Sequence, residues 1–456
     1  MGTLSEREFD VVVIGMGPGA EYLAEELAKA GVQVVAVEEH LVGGECPYWG
    51  CVPSKMMIRA ANLLTEGRRV PGMAGSAVIS PDWAPVAKRI RVDATDNWDD
   101  TVAVDRFTGL GGTFVRGHAR LTGPGEVTVG DDVLRARRGI VIGIGTTPAI
   151  PPIPGLAATP YWTNHDAIQT EDVPASLLIL GGGAVGAELG QVFARFGSSV
   201  TIIEGMPRLL PLEEPESGDL VERVFRAEGI TVSTGAVAES VHHDGAEFSV
   251  RLSDGSQHTG TRLLVATGRK TDLAALGVGA FGLDEKSRFI NVDDTMQAAP
   301  GLWALGDVVG KGAFTHMSMY HARIILGELL GRPLHPAEYH AVPRVTFTDP
   351  EVGSVGLTEA EARDRYGDRI TTAITQIPAS ARGWIHKAGN DGFIKLVADS
   401  ERGFLVGATS AGPTGGEVLS MLTLAVHAQV PVRRLTEMIY AYPTFHRAIE
   451  DALGRL

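Results

Sequence analysis

The feature that most constrains this chain is a unit that occurs twice: a short apolar strand, a glycine-rich turn, a helix, a second strand and an acid. In the first copy, residues 9–14 form a β-branched run typical of a buried parallel strand, and residues 15–19 read Gly-Met-Gly-Pro-Gly. A helical pattern over 21–30 and a strand over 33–37 follow, and the strand leads to Glu38. This order is typical of a dinucleotide-binding βαβ unit.

The second copy repeats the order at a fixed spacing. Its segments are the strand 177–180, the turn 181–186, the helix 187–196 and the strand 199–203, followed by Glu204. Glu38 lies 23 residues after Gly15, and Glu204 lies 23 residues after Gly181. Glycines let the backbone approach a pyrophosphate at the helix N-terminus, and the acid accepts hydrogen bonds from a ribose. The sequence therefore predicts two bound dinucleotides.

Length and composition predict a globular protein of roughly three domains at about 150 residues each. The chain has 456 residues and a net charge of −15, which argues against a nucleic-acid surface because such a surface needs clustered Lys and Arg. Residues 1–10 are too polar for a signal peptide, and no apolar run reaches the length of a membrane span. We expect a cytoplasmic protein with no nucleic-acid and no membrane partner.

The only two cysteines, Cys46 and Cys51, lie in a stretch over residues 43–55 that reads GGECPYWGCVPSK. Two thiols this close can form a disulfide if the backbone brings their Cα atoms together. In a reducing compartment such a pair is more often redox-active than structural. Two unrelated buried cysteines are an alternative. A zinc site is another, but zinc takes four ligands and no Cys or His cluster completes them, so no metal site is predicted.

Together, the two glycine turns and the cysteine stretch resemble the class I pyridine nucleotide–disulfide oxidoreductases over nearly the whole chain. Residues 43–55 match the family's double-cysteine motif, 305–307 its second FAD motif, and 343–358 the start of its interface domain. The resemblance implies an α/β flavoprotein with two Rossmann-like dinucleotide-binding domains, for FAD and NAD(P), and a C-terminal α+β dimerisation domain. The implied boundaries are 1–150 and 269–337 for the FAD domain, 151–268 for the NAD(P) domain, and 338–456 for the interface domain of a homodimer.

The resemblance also implies cofactor contacts, with FAD at the first turn and a nicotinamide nucleotide at the second. Glu204 favours NADH over NADPH because a carboxylate repels a 2′-phosphate. Arg208 either weakens that preference or is a solvated surface charge. The implied cofactor-binding residues are Gly15, Gly17, Gly19, Glu38, Gly44, Lys55, Gly145, Asp307, Gly181, Gly183, Gly186, Glu204 and Gly268.

For the chemistry, the resemblance implies that NADH reduces the flavin, which passes two electrons to the disulfide of Cys46 and Cys51. Cys51 is implied as the thiolate beside the flavin and Cys46 as the thiol that attacks the substrate, since attack requires a thiolate and the second sulfur resolves the mixed disulfide. Lys55 and Glu188 are implied as an ion pair beside the flavin's reactive nitrogen, where a cation stabilises developing negative charge. The alternative is a surface Lys and a helix-face Glu with separate partners.

The C-terminal segment departs from the family pattern. The family carries His-Pro-Thr-x-x-Glu, whose His exchanges a proton with the attacking thiol. Here residues 442–447 read Tyr-Pro-Thr-Phe-His-Arg. A phenol, with a pKa of about 10, is a poor base at neutral pH, although Tyr442 can donate a proton. His446 is the alternative acid, since one helical turn would place it near Tyr442; a solvent-facing first-turn His is the other interpretation.

The leading functional hypothesis is an NADH-dependent reductase of a small-molecule disulfide. The second is an NAD(P)H-dependent reductase of quinones or other electrophiles on the same fold. Further alternatives are the dihydrolipoyl dehydrogenase component of a 2-oxoacid dehydrogenase complex and a non-enzymatic flavin-binding subunit. Elsewhere the sequence predicts short antiparallel strands over 121–139, a Pro-rich connector over 140–154, and helices over 317–329, 418–426 and 445–453.

Overall fold

The computed structural model describes residues 6–333 and 335–456. The predicted polar N-terminus, residues 1–10, thus lies partly outside the described residues. The chain divides into two compact units: Met1–Pro53, Lys88–Ala149 and Arg269–Tyr339 form the first, and Ser54–Ala87, Ile150–Gly268 and His340–Leu456 form the second. Along the chain, helices Cys51–Arg68 and Ala84–Arg89 cross from one unit into the other.

The first unit is built on an eight-stranded sheet with a parallel centre. Strand Glu6–Ile14 pairs in parallel with Val34–Glu38 on one side and with Asp132–Ile142 on the other. Its side chains alternate between two apolar layers: Val11 and Val13 belong to one, and Val12 and Ile14 to the other. Burial on both faces explains the unbroken β-branched run.

The remaining strands of this unit are Thr113–Arg116, Ala119–Gly123, Glu126–Val129, Gln297–Ala299, Leu302–Ala304 and the short pair Thr147–Pro148 and Arg269–Lys270. Its helices are Pro18–Lys29, Glu45–Tyr48, Thr101–Gly109, Leu273–Leu276 and Thr315–Leu329, with a π-helix at Ile90–Ala94 and 3₁₀ turns at Val278–Phe281 and Gly306–Val309. Helices Pro18–Lys29 and Thr315–Leu329 contribute to the same apolar layer of the core.

The second unit contains three sheets. The parallel one has the order Thr231–Thr234, Ser199–Glu204, Ser176–Leu180 and Arg262–Val265. A three-stranded antiparallel sheet consists of Ala238–His243, Phe248–Leu252 and Gln257–Gly260. The five-stranded antiparallel sheet has the order Pro343–Thr346, Glu351–Gly356, Phe404–Gly412, Phe393–Asp399 and Ile370–Gln376.

The helices of the second unit are Asn164–Gln169, Ala184–Arg195, Pro215–Ala227, Glu359–Tyr366, Ala381–His386, Gly415–His427, Val432–Thr436 and Ala448–Leu453, with 3₁₀ turns at Leu156–Ala158, Gly367–Arg369 and Ile377–Ala379. The two parallel sheets with their glycine turns and the antiparallel C-terminal sheet with its helices confirm the predicted fold class. Among the described residues, no helix is long and apolar enough to cross a bilayer.

A buried ion cluster surrounds Lys395, whose side chain is 5% exposed. Its Nζ lies 3.0 Å from Glu214 Oε2, 2.7 Å from Glu216 Oε1 and 3.0 Å from Glu359 Oε2. Burial alone would lower the pKa of Lys395, but hydrogen bonds to the three carboxylates outweigh it and raise that pKa. Burial opposes ionisation of Glu359 too, yet hydrogen bonds from Lys395 and Arg363 hold the pKa of Glu359 below its usual value.

Two predicted boundaries differ from the structure. The connector expected over 140–154 begins later, because residues 140–142 end strand Asp132–Ile142 and pair with residues 12–14. The C-terminal helix expected over 445–453 begins at Ala448. The helical turn expected between Tyr442 and His446 is therefore wrong, since residues 442–447 form turns and bends.

Candidate active site

The first glycine turn lies at the carboxyl end of strand Glu6–Ile14. Gly15 has φ +84°, and a Cβ there would lie 2.6 Å from the carbonyl oxygen of Gly143, so only glycine fits. Gly17 is the N-cap of helix Pro18–Lys29 and provides no side-chain cap. A Cβ on Gly19 would collide with the backbone of Ser318. The helix N-terminus therefore leaves donors for an anion, as a pyrophosphate requires.

Two backbone N–H groups hold the carboxylate of Glu38, one from the first glycine turn and one from just after Glu38 itself. Met16 N–H donates to its Oε2 at 2.7 Å, and His40 N–H donates to its Oε1 at 2.8 Å. Each carboxylate oxygen has a second lone pair, so Glu38 can still accept hydrogen bonds from a ribose.

The second glycine turn repeats this arrangement. Gly181 has φ +109°, a Cβ on Gly186 would collide with the carbonyl of Gly181, and Gly183 is the N-cap of helix Ala184–Arg195 without a side-chain cap. Gly182 N–H donates to Glu204 Oε2 at 2.7 Å, and Met206 N–H donates to Glu204 Oε1 at 2.8 Å. The equal sequence spacing of the two acids thus corresponds to equal hydrogen bonding.

Arg208 is half-buried, and its Nε atom is buried without a hydrogen-bond partner among the described residues. Both interpretations of its sequence position stay predictions.

The cysteine loop follows Gly44, which has φ +62° and is the N-cap of the short helix Glu45–Tyr48. A Cβ on Gly44 would lie 3.0 Å from the Cα of Gly17 in the first glycine turn. Cys46 is half-buried, Cys51 is exposed, and both are thiols in this structure. Cys51 is the first residue of helix Cys51–Arg68, and its Sγ lies 3.4 Å from Thr315 Oγ1. Either the thiol or the hydroxyl can be the donor in this contact.

The aromatic residues between the cysteines are packing groups. Tyr48 is buried, and burial raises its pKa to about 12. Trp49 stacks on Trp98 with ring centroids 5.6 Å apart. The loop that carries Cys46 is therefore held by contacts within the first unit.

A chain of polar contacts connects the cysteine loop to Asp307. Arg269 Nη2 lies 3.3 Å from Glu45 Oε2, and Arg269 Nε donates to Thr146 Oγ1 at 2.7 Å. Thr146 Oγ1 in turn donates to Asp307 Oδ2 at 2.9 Å. Burial raises the pKa of Asp307, and the hydrogen bond from Thr146 opposes that effect. Two predicted cofactor residues, Gly145 (φ +64°) and Gly268 (φ +130°), directly precede Thr146 and Arg269 in the sequence.

Lys55 and Glu188 form the predicted ion pair, with Lys55 Nζ 2.8 Å from Glu188 Oε2. The other carboxylate oxygen of Glu188, Oε1, accepts a hydrogen bond from Phe347 N–H at 2.8 Å. The Lys55 ammonium also lies 4.6 Å from the centroid of the Phe347 ring. The alternative of two surface residues with separate partners is therefore excluded. Lys55 lies one turn after Cys51 on the same helix.

In the C-terminal segment, Tyr442 is 70% exposed. The guanidinium of Arg447 lies 5.5 Å from the centroid of its ring, and Arg447 also pairs with Glu450 at 3.2 Å. The ring of His446 lies 6.2 Å from that of Tyr440. Tyr442 thus contacts an arginine at the position where the family pattern has a glutamate.

Comparison with known proteins decides the family. A profile described as pyridine nucleotide-disulphide oxidoreductase matches residues 9–322, and one described as the dimerisation domain of the same family matches residues 342–453. The chain belongs to the pyridine nucleotide–disulphide oxidoreductase family. The resemblance inferred from the cysteine stretch and the two glycine turns is confirmed.

Three similar proteins illustrate the range of this family. Dihydrolipoyl dehydrogenase from Chlorobaculum tepidum is 33% identical over 458 residues, which cover 98% of this chain and 96% of the relative. Mercuric reductase from Acidithiobacillus ferrooxidans is 32% identical, with 98% and 82% covered. The solved Cu(II) complex of the HOCl-induced flavoprotein disulfide reductase RclA from Escherichia coli has a TM-score of 0.86 at 26% identity, with 99% and 100% covered.

Members of this family bind FAD and NAD(P)H, and the chain is an FAD-dependent oxidoreductase of this kind. The described residues fit these cofactors, because each glycine turn ends at a helix N-terminus without a side-chain cap, where free N–H groups can bind phosphate. The space around the second N-cap is open, since a Cβ on Gly183 would meet no atom within 4 Å. The dimerisation domain supports a homodimer.

Several residues around these sites carried no sequence signal. Glu45, Thr146 and Arg269 are far apart in sequence and are brought together by the fold of the first unit. Thr315 and Phe347 likewise contact Cys51 and Lys55 from distant parts of the chain. Gly145, Gly268 and Asp307 were the predicted residues closest to the contacts of Thr146 and Arg269.

Proposed function

We propose that this flavoprotein uses NADH to reduce a small-molecule disulfide through Cys46 and Cys51. The observation that carries the proposal is the position of the two thiols. They are joined by a loop that glycines and a tryptophan stack fix in place, and the second thiol begins a helix beside the hydroxyl of Thr315. This arrangement suits a pair that alternates between dithiol and disulfide.

When bound, FAD would accept reducing equivalents from NAD(P)H and deliver two electrons to the cysteine disulfide. Gly15, Gly17, Gly19 and Gly44 would accommodate its pyrophosphate, Glu38 its ribose and Asp307 its ribityl chain. We assign the FAD domain to residues 1–150 and 269–337, the NAD(P) domain to 151–268 and the interface domain to 338–456.

The chain's own sulfurs perform the exchange. The Cys46 thiolate attacks one sulfur of the substrate disulfide, and the other substrate sulfur leaves as a thiolate that takes up a proton. The Cys51 thiolate then attacks Cys46 in the mixed disulfide, releases the second substrate thiol and leaves the Cys46–Cys51 disulfide. Thr315 Oγ1 can donate a hydrogen bond to the Cys51 thiolate.

Lys55 and Glu188 are assigned to the flavin by the family resemblance. The Lys55 ammonium would stabilise negative charge on the reduced flavin, and Glu188 fixes its position through the 2.8 Å ion pair. At the second turn, Gly181, Gly183 and Gly186 would accommodate the nicotinamide nucleotide, and Glu204 would select NADH by repelling a 2′-phosphate.

A second function, reduction of quinones or other electrophiles, is favoured by the C-terminal segment. Tyr442 is a weak base, and its partner Arg447 is a cation, so this segment is better suited to donate a hydrogen bond than to accept a thiol proton. The name of one relative, mercuric reductase, adds Hg(II) to the acceptors to be tested. The acceptor would still be a small molecule or ion, and the protein a cytoplasmic homodimer.

The test is an anaerobic reductive titration of the purified yellow protein, followed by an acceptor screen. Wild type should take up one electron pair more than Cys51→Ser or Cys46→Ser, because each variant lacks the disulfide. Both variants should keep FAD and lose disulfide turnover. Wild-type disulfide turnover in either variant would contradict the dithiol role. Full quinone reduction by both variants, without disulfide reduction by wild type, would favour the second function.

A further inference from the structure

Three segments of the second unit meet around Glu188. Helix Ala184–Arg195 has Glu188, Gln191 and Arg195 on one face, since they are spaced by three and four residues. All three are buried and bind residues 347–349, as do Lys55 of helix Cys51–Arg68 and Arg69 directly after that helix. We call these contacts the polar ladder; its members are Lys55, Asn62, Arg69, Glu188, Gln191, Arg195, Phe347 and Asp349.

The contacts of the Glu188 helix with residues 347–349 are short. Phe347 N–H donates to Glu188 Oε1 at 2.8 Å, and Asp349 N–H donates to Gln191 Oε1 at 2.8 Å. Gln191 Nε2 donates to the carbonyl of Asp349 at 2.9 Å, and Arg195 Nη2 lies 2.8 Å from Asp349 Oδ2. Three backbone groups of this segment are therefore hydrogen-bonded to the Glu188 helix, and Arg195 of the same helix pairs with the Asp349 carboxylate.

The helix that begins at Cys51 contributes residues at a spacing of seven, which places them on one face. Lys55 pairs with Glu188 at 2.8 Å. Asn62 Oδ1 accepts a hydrogen bond from Arg195 Nη1 at 2.6 Å. Arg69, directly after the helix, pairs with Asp349 Oδ2 at 2.8 Å. The segment 347–349 is thus anchored at its Asp349 end by two arginines and contacts the Lys55–Glu188 pair at its Phe347 end.

Phe347 contacts both members of that ion pair. Its N–H occupies one oxygen of Glu188, which leaves the other oxygen to bind Lys55. Its half-buried ring lies 4.6 Å from the Lys55 ammonium. The Lys55 ammonium also donates to Ser54 Oγ at 3.3 Å. A lysine side chain is long and flexible, so the Phe347 ring restrains the ammonium beyond what Glu188 and its sequence neighbour Ser54 provide.

We propose that Phe347 is a positioning residue for the Lys55–Glu188 pair: its N–H orients the Glu188 carboxylate and its ring holds the Lys55 ammonium. Phe347 lies in the region that matches the dimerisation domain. That domain therefore sets the position of a charge that the FAD chemistry uses. The inference rests on the proposed function only in assigning Lys55 to the flavin; the geometry of the pair stands without it.

The experiment uses Phe347→Leu and Phe347→Met, which remove the ring but keep an apolar side chain and the N–H, and Phe347→Tyr, which keeps the ring. Tyr366→Leu is the matched control, because it removes a ring that faces arginines elsewhere in the second unit. Two variants without the ring keep the test valid if one fails to fold.

The first readout is the rate at which a small acylating reagent modifies Lys55, measured by mass spectrometry on the protein as isolated. The rate should rise about two- to fivefold in Phe347→Leu and Phe347→Met, the factor expected for losing a cation–π contact at a partly exposed lysine. It should stay within about twofold of wild type in Phe347→Tyr and Tyr366→Leu. An unchanged rate in both variants without the ring would overturn the proposal.

The second readout is the midpoint potential of the bound flavin, with Lys55→Met as reference. A mispositioned cation should lower the potential by about 10–20 mV in Phe347→Leu, which is a two- to fivefold change at about 30 mV per tenfold for two electrons. A shift in Lys55→Met without one in the ring-free variants contradicts the role of Phe347 and leaves the proposed function standing. No shift in Lys55→Met contradicts the assignment of Lys55 to the flavin.

Discussion

Replacing Glu204 by glutamine should shift the nucleotide preference towards NADPH. The carboxylate is half-buried and accepts hydrogen bonds from the N–H groups of Gly182 and Met206. Within residues 6–333 and 335–456 it forms no ion pair with a cation. Glutamine keeps the volume and one acceptor. The N–H group that loses its partner costs about 1 kcal/mol, and because this cost falls equally on NADH and NADPH it cancels in their ratio.

The magnitude follows from Coulomb repulsion. Two unit charges about 4 Å apart interact by about 4 kcal/mol at an effective dielectric constant of about 20. Water at a half-buried site reduces this repulsion, and we take a net repulsion of about 1.4–2 kcal/mol between the Glu204 carboxylate and a 2′-phosphate. This free energy corresponds to a change in nucleotide preference of about 10- to 30-fold. The ratio of kcat/KM for NADPH to that for NADH should rise by this factor in Glu204→Gln, measured with a fixed dye acceptor.

Glu38→Gln is the matched control, because Glu38 accepts the same two hydrogen bonds in the first copy of the unit. It should leave the nucleotide ratio within about twofold of wild type and weaken FAD binding instead. An unchanged ratio in Glu204→Gln, or an equal change in both variants, would show that Glu204 does not face the 2′ position of the nucleotide.

Further outcomes are expected elsewhere. Lys395→Met should lower the free energy of unfolding by about 3–5 kcal/mol in urea titrations, because it leaves the buried Glu214 carboxylate without its cation, whereas Lys395→Arg should retain most of that free energy. Since the folded-state pKa of Glu359 is depressed, the stability it contributes is present above the unfolded pKa and should be lost as pH falls through the folded value; this pH-dependent loss should be smaller in Lys395→Met. Tyr442→Phe should reduce acceptor turnover by about 10- to 100-fold while flavin reduction by NADH stays unchanged, and His446→Ala should have less than about twofold effect. Equal turnover in wild type and both C-terminal variants would exclude this segment from proton transfer.

The sequence predicted the parts of the fold that local patterns determine. Both glycine turns and both acids follow from strand, turn and helix signals within about 25 residues, and the structure gives the two acids identical contacts. The predicted contact between Lys55 and Glu188 is present, although the two residues are far apart in the sequence. It could be predicted because each residue lies at a position of a family motif. The roles of these residues stay predictions.

Other features could not be predicted because no local pattern marks them. Lys395 occupies a strand whose every residue is buried, whereas a lone lysine in an apolar run would be expected to face solvent. The C-terminal helix begins later than its apolar pattern suggests, so no helical turn connects Tyr442 with His446. Arg269 contacts Glu45 and Thr146 only because distant strands are brought together in the first unit.

The polar ladder has a consequence for protein engineering. A chimera that exchanges the C-terminal region of this chain for that of a relative would also exchange the short segment that anchors Lys55. Grafts joined before residue 347 should therefore alter the flavin environment even when every residue of both glycine turns is retained, whereas grafts joined after residue 349 should preserve it.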